Sequence, residues 1–320
     1  MSISNGHSSP SQLRAAHFDS TPPVRFLIVG KQRSGTTLVH QILAGHPNIA
    51  SNPREASSRL LTDLGASLFN TNRDLFLGNA KDSIGPSETI SRLFDLAVEQ
   101  GQRIDGHVAA GLKIATGWVH EAQALSDGIL THAPNLRIVH VRREDPVSAC
   151  VSYEFAAANN RFQIYAGENA PTPRIKINRT QLIHYVADWW AINAAFDRLS
   201  ALTHYMRVDY ERDVLTGTLL DGRDLFEFVG APIVAPTWVN LKKPLPPKEQ
   251  TVTNLAECED VAAGTLDALA ADVPLSEIMR RYGPDLPTIA ADLIGQAAGH
   301  PATILRRSYW RPLSWRLFGK

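Results

Sequence analysis

The stretch FLIVGKQRSGTTLVHQIL, residues 26–43, constrains the fold more than any other part of this 320-residue chain. An apolar run rich in β-branched residues leads into a glycine-bearing turn, and helix-like sequence then continues to Gly45 and Pro47. This order is typical of a buried parallel strand, a tight loop and a helix. It predicts a β–loop–α unit near the start of an α/β domain.

Other segments repeat the alternation of strand and helix. The stretches HVAAGLKIA (107–115) and NLRIVHVRR (135–143) predict two more buried strands, each followed by helix-like sequence, and HYMRVDYE (204–211) predicts another. The pattern predicts a P-loop-like, three-layer α/β/α fold with a central parallel sheet, plus a C-terminal helical extension. In such sheets, ligands bind beyond the carboxyl ends of the strands.

Composition divides the chain into three parts. Residues 1–23 are rich in Ser, Asn, Gly and Pro and are predicted to be a disordered leader. Residues 24–265 are predicted to form the α/β domain, and 266–320 a helical extension ending in the basic, aromatic sequence ILRRSYWRPLSWRLFGK. That tail favours packing on its own domain or a homodimer contact over contact with a membrane surface.

The overall charge excludes some functions and leaves others open. Lys+Arg and Asp+Glu both number 32, so no global basic field predicts nucleic-acid binding, and any anion site must be local. The two cysteines stand far apart and outside any C-x-x-C or Cys/His cluster, which disfavours a disulfide framework or a zinc site. With no signal-peptide pattern and no apolar run near roughly 18 residues, we expect a cytoplasmic protein.

The loop has features of a phosphate site and lacks one of them. Gly30 and Gly35 have the G-x-x-x-x-G spacing of a P-loop, but Thr36 stands where a P-loop NTPase has lysine, and Arg33 supplies a cation instead. Backbone N–H groups and the helix dipole at a strand-to-helix turn favour a phosphate, and Thr36 and Thr37 add hydroxyl donors. Without the lysine, metal-dependent NTP hydrolysis is disfavoured.

A second anion site is predicted in VRREDPVSACVSY, residues 141–153. Arg142 and Arg143 close a predicted strand, and Ser152 follows on a predicted helix. Guanidinium groups suit phosphate oxygens, and a serine hydroxyl can add a donor. Taken alone, this stretch would be interpreted as a pair of solvated arginines.

Together the two stretches resemble the sulfotransferases that use 3'-phosphoadenosine 5'-phosphosulfate (PAPS). That family's loop, [K/R]-[ST]-G-[ST]-[ST], is matched by Arg33, Ser34, Gly35, Thr36 and Thr37, which implies binding of the 5'-phosphosulfate. Its second motif implies that Arg142 or Arg143, with Ser152, binds the 3'-phosphate. Ser152 lies nine residues after Arg143 and ten after Arg142, so the choice between the arginines stays open.

Two further segments are similar to the bacterial carbohydrate branch, which includes trehalose and nodulation-factor sulfotransferases. SNPREAS (51–57) looks like that branch's P-x-E segment, which implies that Glu55 is the general base, and GLKI (111–114) looks like its signature after a strand. Ala115 stands where the animal cytosolic enzymes have a catalytic histidine. The resemblance implies in-line transfer to a hydroxyl, with Lys113 assisting at the sulfonyl oxygens and no metal.

Several alternatives stay open. His107, His120 and His140 are rival bases, and Lys113 is equally interpretable as a structural strand-end lysine. The resemblance favours a carbohydrate or glycolipid acceptor, with other small-molecule alcohols as alternatives. Trp118 is among the aromatic side chains that could stack on a sugar. A non-catalytic nucleotide-binding or assembly protein and a divergent P-loop kinase or NTPase are the competing functions.

Overall fold

The computed structural model describes residues 23–51, 108–158, 174–216, 219, 222–234 and 247–283. The predicted leader up to residue 22, Glu55, His107 and the basic-aromatic tail lie outside these residues. None of the helices in the described ranges is long and apolar enough to span a bilayer.

Five strands form one parallel sheet. They are β1 (Val24–Lys31), β2 (Ile49–Ala50), β3 (Ala109–Thr116), β4 (Arg137–Arg142) and β5 (Tyr205–Asp209). Their order across the sheet is β2-β3-β1-β4-β5, and every neighbouring pair is parallel. The central strand β1 carries the glycine-bearing loop at its carboxyl end, between β3 and β4.

The described helices follow the alternation expected from the sequence. They are α1 (Thr36–Ala44), α2 (Val119–His132), α3 (Pro146–Ala158), α4 (Arg179–Asp197), α5 (Arg223–Val229), α6 (Lys248–Thr251), α7 (Leu255–Ala270) and α8 (Leu275–Tyr282). A short 3₁₀ helix spans Arg198–Ala201, and a single π-helical turn spans Tyr210–Val214.

Backbone contacts divide the chain into two compact units. One comprises Met1–Glu144 with Ile192–Leu241, and the other comprises Asp145–Ala191 with Lys242–Lys320. The first contains the sheet and the second contains most of the later helices. Helix α7 runs without a break past residue 265, where the sequence predicted the domain to end.

The first unit has helices on both faces of its sheet. Leu27 and Val29 of β1 pack into a core with α2 and the C-terminal residues of α4. Phe26 and Ile28, which alternate with them, pack into a second core with α1 and α5. Alternate side chains of a strand point to opposite faces, so one buried strand supplies both cores. The predicted three-layer α/β/α architecture is confirmed.

One predicted boundary is wrong in a way that matters for the site. The sequence predicted a strand through residue 211, but β5 ends at Asp209, and the π-helical turn begins at Tyr210. The backbone N–H of Asp209 donates to the Asp213 carboxylate at 2.8 Å, and the N–H of Leu215 donates to the Tyr210 carbonyl at 2.9 Å. These local bonds turn the chain at the sheet edge.

The second unit is helical. Apolar side chains of α3, α4, α7 and α8 share its core. An isolated parallel bridge joins Ile175 to Val252, and Lys248 lies 2.9 Å from the Asp145 carboxylate and 2.8 Å from that of Glu259. On α3, burial raises the pKa of Glu154 to about 6.

Candidate active site

The loop between β1 and α1 has an unusual backbone. Arg33 has φ 73° and Gly35 has φ 94°, so two residues of the loop take the left-handed conformation. Ser34 lies between them, 2 % exposed, and its hydroxyl donates to the Lys31 carbonyl at 2.7 Å. A non-glycine residue in this conformation costs about 1–3 kcal/mol and such residues cluster at functional sites. The left-handed Arg33 therefore makes this loop a candidate functional site.

The start of helix α1 is suited to an anion. Gly35 precedes the first turn, and no side chain within the described ranges caps it. The first N–H groups of a helix have no partner inside the helix, and the dipole makes this end positive. Thr36, buried at 3 % exposure, opens the turn, and Thr37 follows it. The geometry is that of a phosphate-binding helix start.

Lys113 lies against this loop. It occupies β3 in register with Ile28 of β1 and is 2 % exposed. Its Nζ donates to the Thr37 hydroxyl at 3.0 Å. The ammonium group is thus brought to the first turn of α1, where the sequence had left a structural role and a catalytic role open.

Arg143 also lies against the loop. Its Nη1 donates to the Arg33 carbonyl at 3.4 Å, and its Nε lies 3.2 Å from the Glu211 carboxylate. Its guanidinium carbon sits 4.9 Å from the centre of the Tyr210 ring, in the range of a cation–π contact. Two separate cations therefore lie here: Lys113 from β3 contacts the first turn of α1, and Arg143 from beyond β4 contacts the loop that precedes it.

Arg142 takes part in a different cluster. Its Nη1 lies 3.0 Å from the Asp197 carboxylate at the end of α4. The buried His140 lies 3.4 Å from the same carboxylate, and its Nδ1 is 2.8 Å from the Tyr205 hydroxyl. Burial acts to raise the pKa of Asp197, but hydrogen bonding and charge from His140 and Arg142 lower it overall.

Ser152 and Glu55 stand apart from this geometry. Ser152 is buried on α3, in the unit that begins at Asp145, and its pairing with either arginine stays a prediction. Glu55 lies outside the described residues, so its role as base also stays a prediction. Of the rival bases, His140 is buried in the Arg142 cluster, while His120 is exposed beside Trp118, 6.2 Å between ring centres.

The structure adds a buried histidine that the sequence did not single out. His40 of α1 has no exposed surface, and its Nε2 lies 2.5 Å from the Ser51 hydroxyl, which donates to the Gly111 carbonyl at 3.0 Å. Burial and the Lys113 charge lower the pKa of His40 to about 3. It is therefore neutral at physiological pH. Its place on the buried face of α1 was its only sequence signal.

Three residues at the end of β5 were also missed. Tyr210 and Glu211 contact Arg143, and Asp209 is an acidic residue at a strand end. The Asp209 carboxylate is 2 % exposed and pairs with Arg207 at 2.6 Å and Arg212 at 2.9 Å. The motif VDYE carried this signal, but it was interpreted as strand. In the part of the chain that the structure describes, no group of three or more His, Cys, Asp or Glu side chains could hold a metal ion.

Comparison with known proteins identifies the loop-bearing segment. The model of the sulfotransferase family matches residues 23–106, a span that begins just before β1 and includes the whole loop. No curated protein sequence matches the chain significantly.

Solved structures show weaker similarity. A sulfotransferase from Alicyclobacillus acidocaldarius is 16% identical, with a TM-score of 0.44, over 81% of this chain and 99% of that one. The sulfotransferase domain of the Synechococcus PCC 7002 olefin synthase is 17% identical, with a TM-score of 0.39, over 69% of this chain and 80% of that one. The family match confirms the sulfotransferase resemblance over residues 23–106, the segment that contains the loop.

Proposed function

We propose that this protein transfers the sulfuryl group of PAPS to a hydroxyl of a carbohydrate, glycolipid or other small-molecule acceptor. The single observation that carries the proposal is the meeting of the Arg33–Gly35 loop with Arg143. A helix start and a guanidinium, both of which suit anions, lie in contact in one unit. A donor with phosphate groups at its 5' and 3' positions needs two such elements.

The loop would bind the 5' end of the donor. Backbone N–H groups at the start of α1, the Thr36 hydroxyl and the Arg33 guanidinium would stabilise the charge that develops on the leaving phosphate oxygen. Lys113, held at 3.0 Å from Thr37, would neutralise charge on the sulfonyl oxygens. Donors fixed before the reaction cost no reorganisation when the transition state forms.

Arg143 is the better candidate for the 3'-phosphate. It contacts the loop, whereas Arg142 pairs with Asp197 on the opposite face of the sheet. Ser152 would add a hydroxyl donor, as the family motif implies. An arginine–phosphate contact can be bidentate, which gives geometric specificity as well as affinity.

Glu55 would be the general base. The acceptor oxygen attacks sulfur in line, the bond from sulfur to the 5'-phosphate oxygen breaks, and the acceptor proton passes to the Glu55 carboxylate. The leaving 3',5'-bisphosphate carries the electron pair of the broken bond. The neutral His40 is fully buried against Ser51, so Glu55 remains the stronger candidate.

The proposed acceptor is a carbohydrate, and the proposed location is the cytoplasm. Trp118, 45 % exposed just beyond the end of β3, offers a stacking face for a sugar ring, whereas Trp189 is buried. A carbohydrate acceptor is favoured by the resemblance of SNPREAS to the bacterial branch. A cytoplasmic location, a homodimer contact through the tail and the absence of nucleic-acid binding stay predictions from the sequence.

Two competing functions make different demands on the chain. A P-loop kinase or NTPase would use an acidic strand end to hold magnesium, and Asp209 is such a residue, but its carboxylate already pairs with two arginines. A non-catalytic nucleotide-binding or assembly protein would keep the loop and need no base.

The test compares three ligands by thermal shift: 3'-phosphoadenosine 5'-phosphate (PAP), ADP and Mg·ATP. A ligand at about a hundred times its Kd stabilises a protein by roughly 2.7 kcal/mol, which is readily measured. The proposal predicts selective stabilisation by PAP. An equal response to ADP would leave only a generic phosphate loop, and no response would favour an assembly role.

A variant of the base then separates enzyme from binding protein. An acceptor is first found by screening, beginning with trehalose and octyl glucoside. Glu55→Gln should then abolish sulfuryl transfer from PAPS to that acceptor, while the affinity for PAP stays close to that of the unaltered protein. Transfer that survives the substitution would remove Glu55 as base.

A further inference from the structure

Tyr210 is fixed in place by the turn that it begins. It follows directly on β5, and its carbonyl accepts a hydrogen bond from Leu215 at 2.9 Å. The preceding Asp209 is buried, paired with Arg207 and Arg212, and bonded through its N–H to Asp213. The backbone on the N-terminal side of the ring is therefore held by several polar contacts.

The Tyr210 ring contacts the phosphate loop. A Cβ atom added at Gly35 would collide with the Cδ2 and Cε2 atoms of this ring. The ring thus packs on the backbone of the left-handed residue that leads into α1. Glycine at position 35 therefore permits two things: the left-handed φ and the close approach of the Tyr210 ring.

The same ring contacts Arg143. The guanidinium carbon lies 4.9 Å from the ring centre, and Glu211, the next residue, pairs with Nε at 3.2 Å. The second oxygen of Glu211 accepts a bond from the Glu144 backbone N–H at 2.8 Å. The Arg143 guanidinium therefore lies over the Tyr210 ring, its Nε pairs with Glu211, and its Nη1 donates to the Arg33 carbonyl.

From these contacts we infer that Tyr210 is a positioning residue that sets the separation between the loop and Arg143, and thereby the preference for a 3',5'-bisphosphate nucleotide. The inference rests on the proposed function. The ribose fixes the separation of 3'- and 5'-phosphates, whereas a nucleotide phosphorylated only at the 5' position makes no use of the second cation. A residue that spaces two anion sites controls discrimination between these ligands more than affinity for either phosphate alone.

The test measures two dissociation constants by calorimetry, for PAP and for 5'-AMP, which lacks the 3'-phosphate. The 5'-AMP constant divided by the PAP constant reports how much the 3'-phosphate contributes to binding. Tyr210→Leu, which removes the ring, should lower the ratio at least tenfold, mainly by weakening PAP. Tyr210→Phe keeps the ring face on which Arg143 lies and should hold the ratio within about threefold of the unaltered protein.

A matched control lies on the same strand. Tyr205 begins β5 and bonds to His140 in the Arg142 cluster, so Tyr205→Leu removes a half-buried tyrosine away from the loop. Its ratio should stay unchanged. A ratio kept in folded Tyr210→Leu, or lost equally in Tyr205→Leu, would overturn the inference.

A second variant covers the case in which Tyr210→Leu fails to fold. Glu211→Gln loosens Arg143 without touching Gly35. It should lower the ratio severalfold while the 5'-AMP constant stays the same. An unaltered ratio in both Glu211→Gln and Tyr210→Met, a milder removal of the ring, would overturn the inference. If the unaltered protein itself binds 5'-AMP as tightly as PAP, the proposed function has failed, which is a distinguishable result.

Discussion

Arg142 and Arg143 are adjacent in the chain but belong to two regions with different chemistry. The loop region, comprising residues 31–37, Lys113, Arg143 and Tyr210, brings cations to a helix start and contains a left-handed Arg33. The cluster region, comprising His140, Arg142, Asp197 and Tyr205, pairs its cation with a carboxylate. Arg143 also pairs with a carboxylate, that of Glu211, but the loop region lies at the start of helix α1, whereas the cluster region lies at the end of helix α4.

The two regions differ because adjacent residues of a strand point to opposite faces of the sheet. Ile138 packs on the face of β4 that holds the cluster region, and Val139 packs on the face that holds α1. By the same alternation, Arg142 belongs to the face of the cluster region and Arg143 to the face that holds α1. Two like side chains at a strand end can therefore serve a structural ion pair and a ligand site without interfering.

The largest expected effect comes from Gly35→Ala in the loop region. The substitution forces a side chain into φ 94° and against the Tyr210 ring. The free energy of unfolding should fall by about 2 kcal/mol, and the Kd of PAP should rise more than tenfold. Chemical denaturation and calorimetry measure the two quantities.

Gly45 provides the matched control at the other end of the same helix. Its φ of −76° is one that alanine adopts readily, so Gly45→Ala should leave PAP affinity unchanged. Equal losses of PAP affinity in both variants would mean that the loop backbone has no special role.

A second prediction concerns the buried His40 beneath the loop region. Its pKa of about 3 lies below the ordinary value of 6.5, so the unfolded chain takes up the proton first, and this contribution to stability is lost as pH falls from 6.5 towards 3. Between pH 7 and pH 5 the loss from this residue should be about 2 kcal/mol.

His40→Gln should flatten that part of the stability curve, measured by denaturation at each pH. Ser51→Ala, which removes the hydrogen-bond partner and keeps the imidazole, should preserve the slope. If His40→Gln and the unaltered protein lose stability in parallel as the pH falls, then burial does not lower the pKa of His40.

A third prediction breaks the cluster region instead. Asp197→Asn removes the carboxylate shared by Arg142 and His140 and should lower the free energy of unfolding by about 1 kcal/mol, a modest value because Asp197 is partly exposed. PAP affinity should stay the same. The pKa of Asp197 is lowered in the fold, so the difference should vanish as the pH falls below 3.8 and the carboxylate protonates.

The surface ion pair between Arg198 and Asp127 is the comparison for this variant. Both side chains are more than half exposed, so Asp127→Asn should change stability very little. A loss of PAP binding in Asp197→Asn would show that the cluster region takes part in nucleotide recognition.

The last prediction concerns the second unit and serves as a reference for both regions. Burial raises the pKa of Glu154 from 4.5 to about 6, so its contribution is complete below pH 4.5 and is lost as pH rises through 6. Glu154→Gln should therefore stabilise the protein by about 2 kcal/mol at pH 7.5 and by nothing at pH 4. Stabilisation of the same size at both pH values would contradict the shifted pKa.

The fold and the loop of the candidate site could be predicted from local sequence. The glycines, Arg33 and the apolar run before them define a strand, a loop and a helix start, because turn chemistry and helix dipoles are local properties. The arginines were placed at a strand end for the same reason, but Lys113, predicted at a strand end, lies within β3, which continues to Thr116.

What the sequence did not provide depended on packing across elements. Tyr210 and Glu211 reach the loop region from another strand, and their turn was interpreted as strand because VDYE continues an apolar alternation. The proposal of Arg143 over Arg142 depends on which face of β4 carries α1, which the sequence alone does not give. His40 differs from other helical histidines only in its burial, which depends on the fold as a whole.

The proposed role of Arg143 is tested most directly by the contribution of the 3'-phosphate to binding. This is the ratio of the 5'-AMP dissociation constant to the PAP dissociation constant, measured in the unaltered protein, Arg143→Ala and Arg142→Ala. If Arg143 binds the 3'-phosphate, the ratio is large in the unaltered protein, the same in Arg142→Ala even if that variant is less stable, and reduced by about tenfold or more in Arg143→Ala. A ratio kept in Arg143→Ala and lost in Arg142→Ala would show instead that Arg142 binds this phosphate.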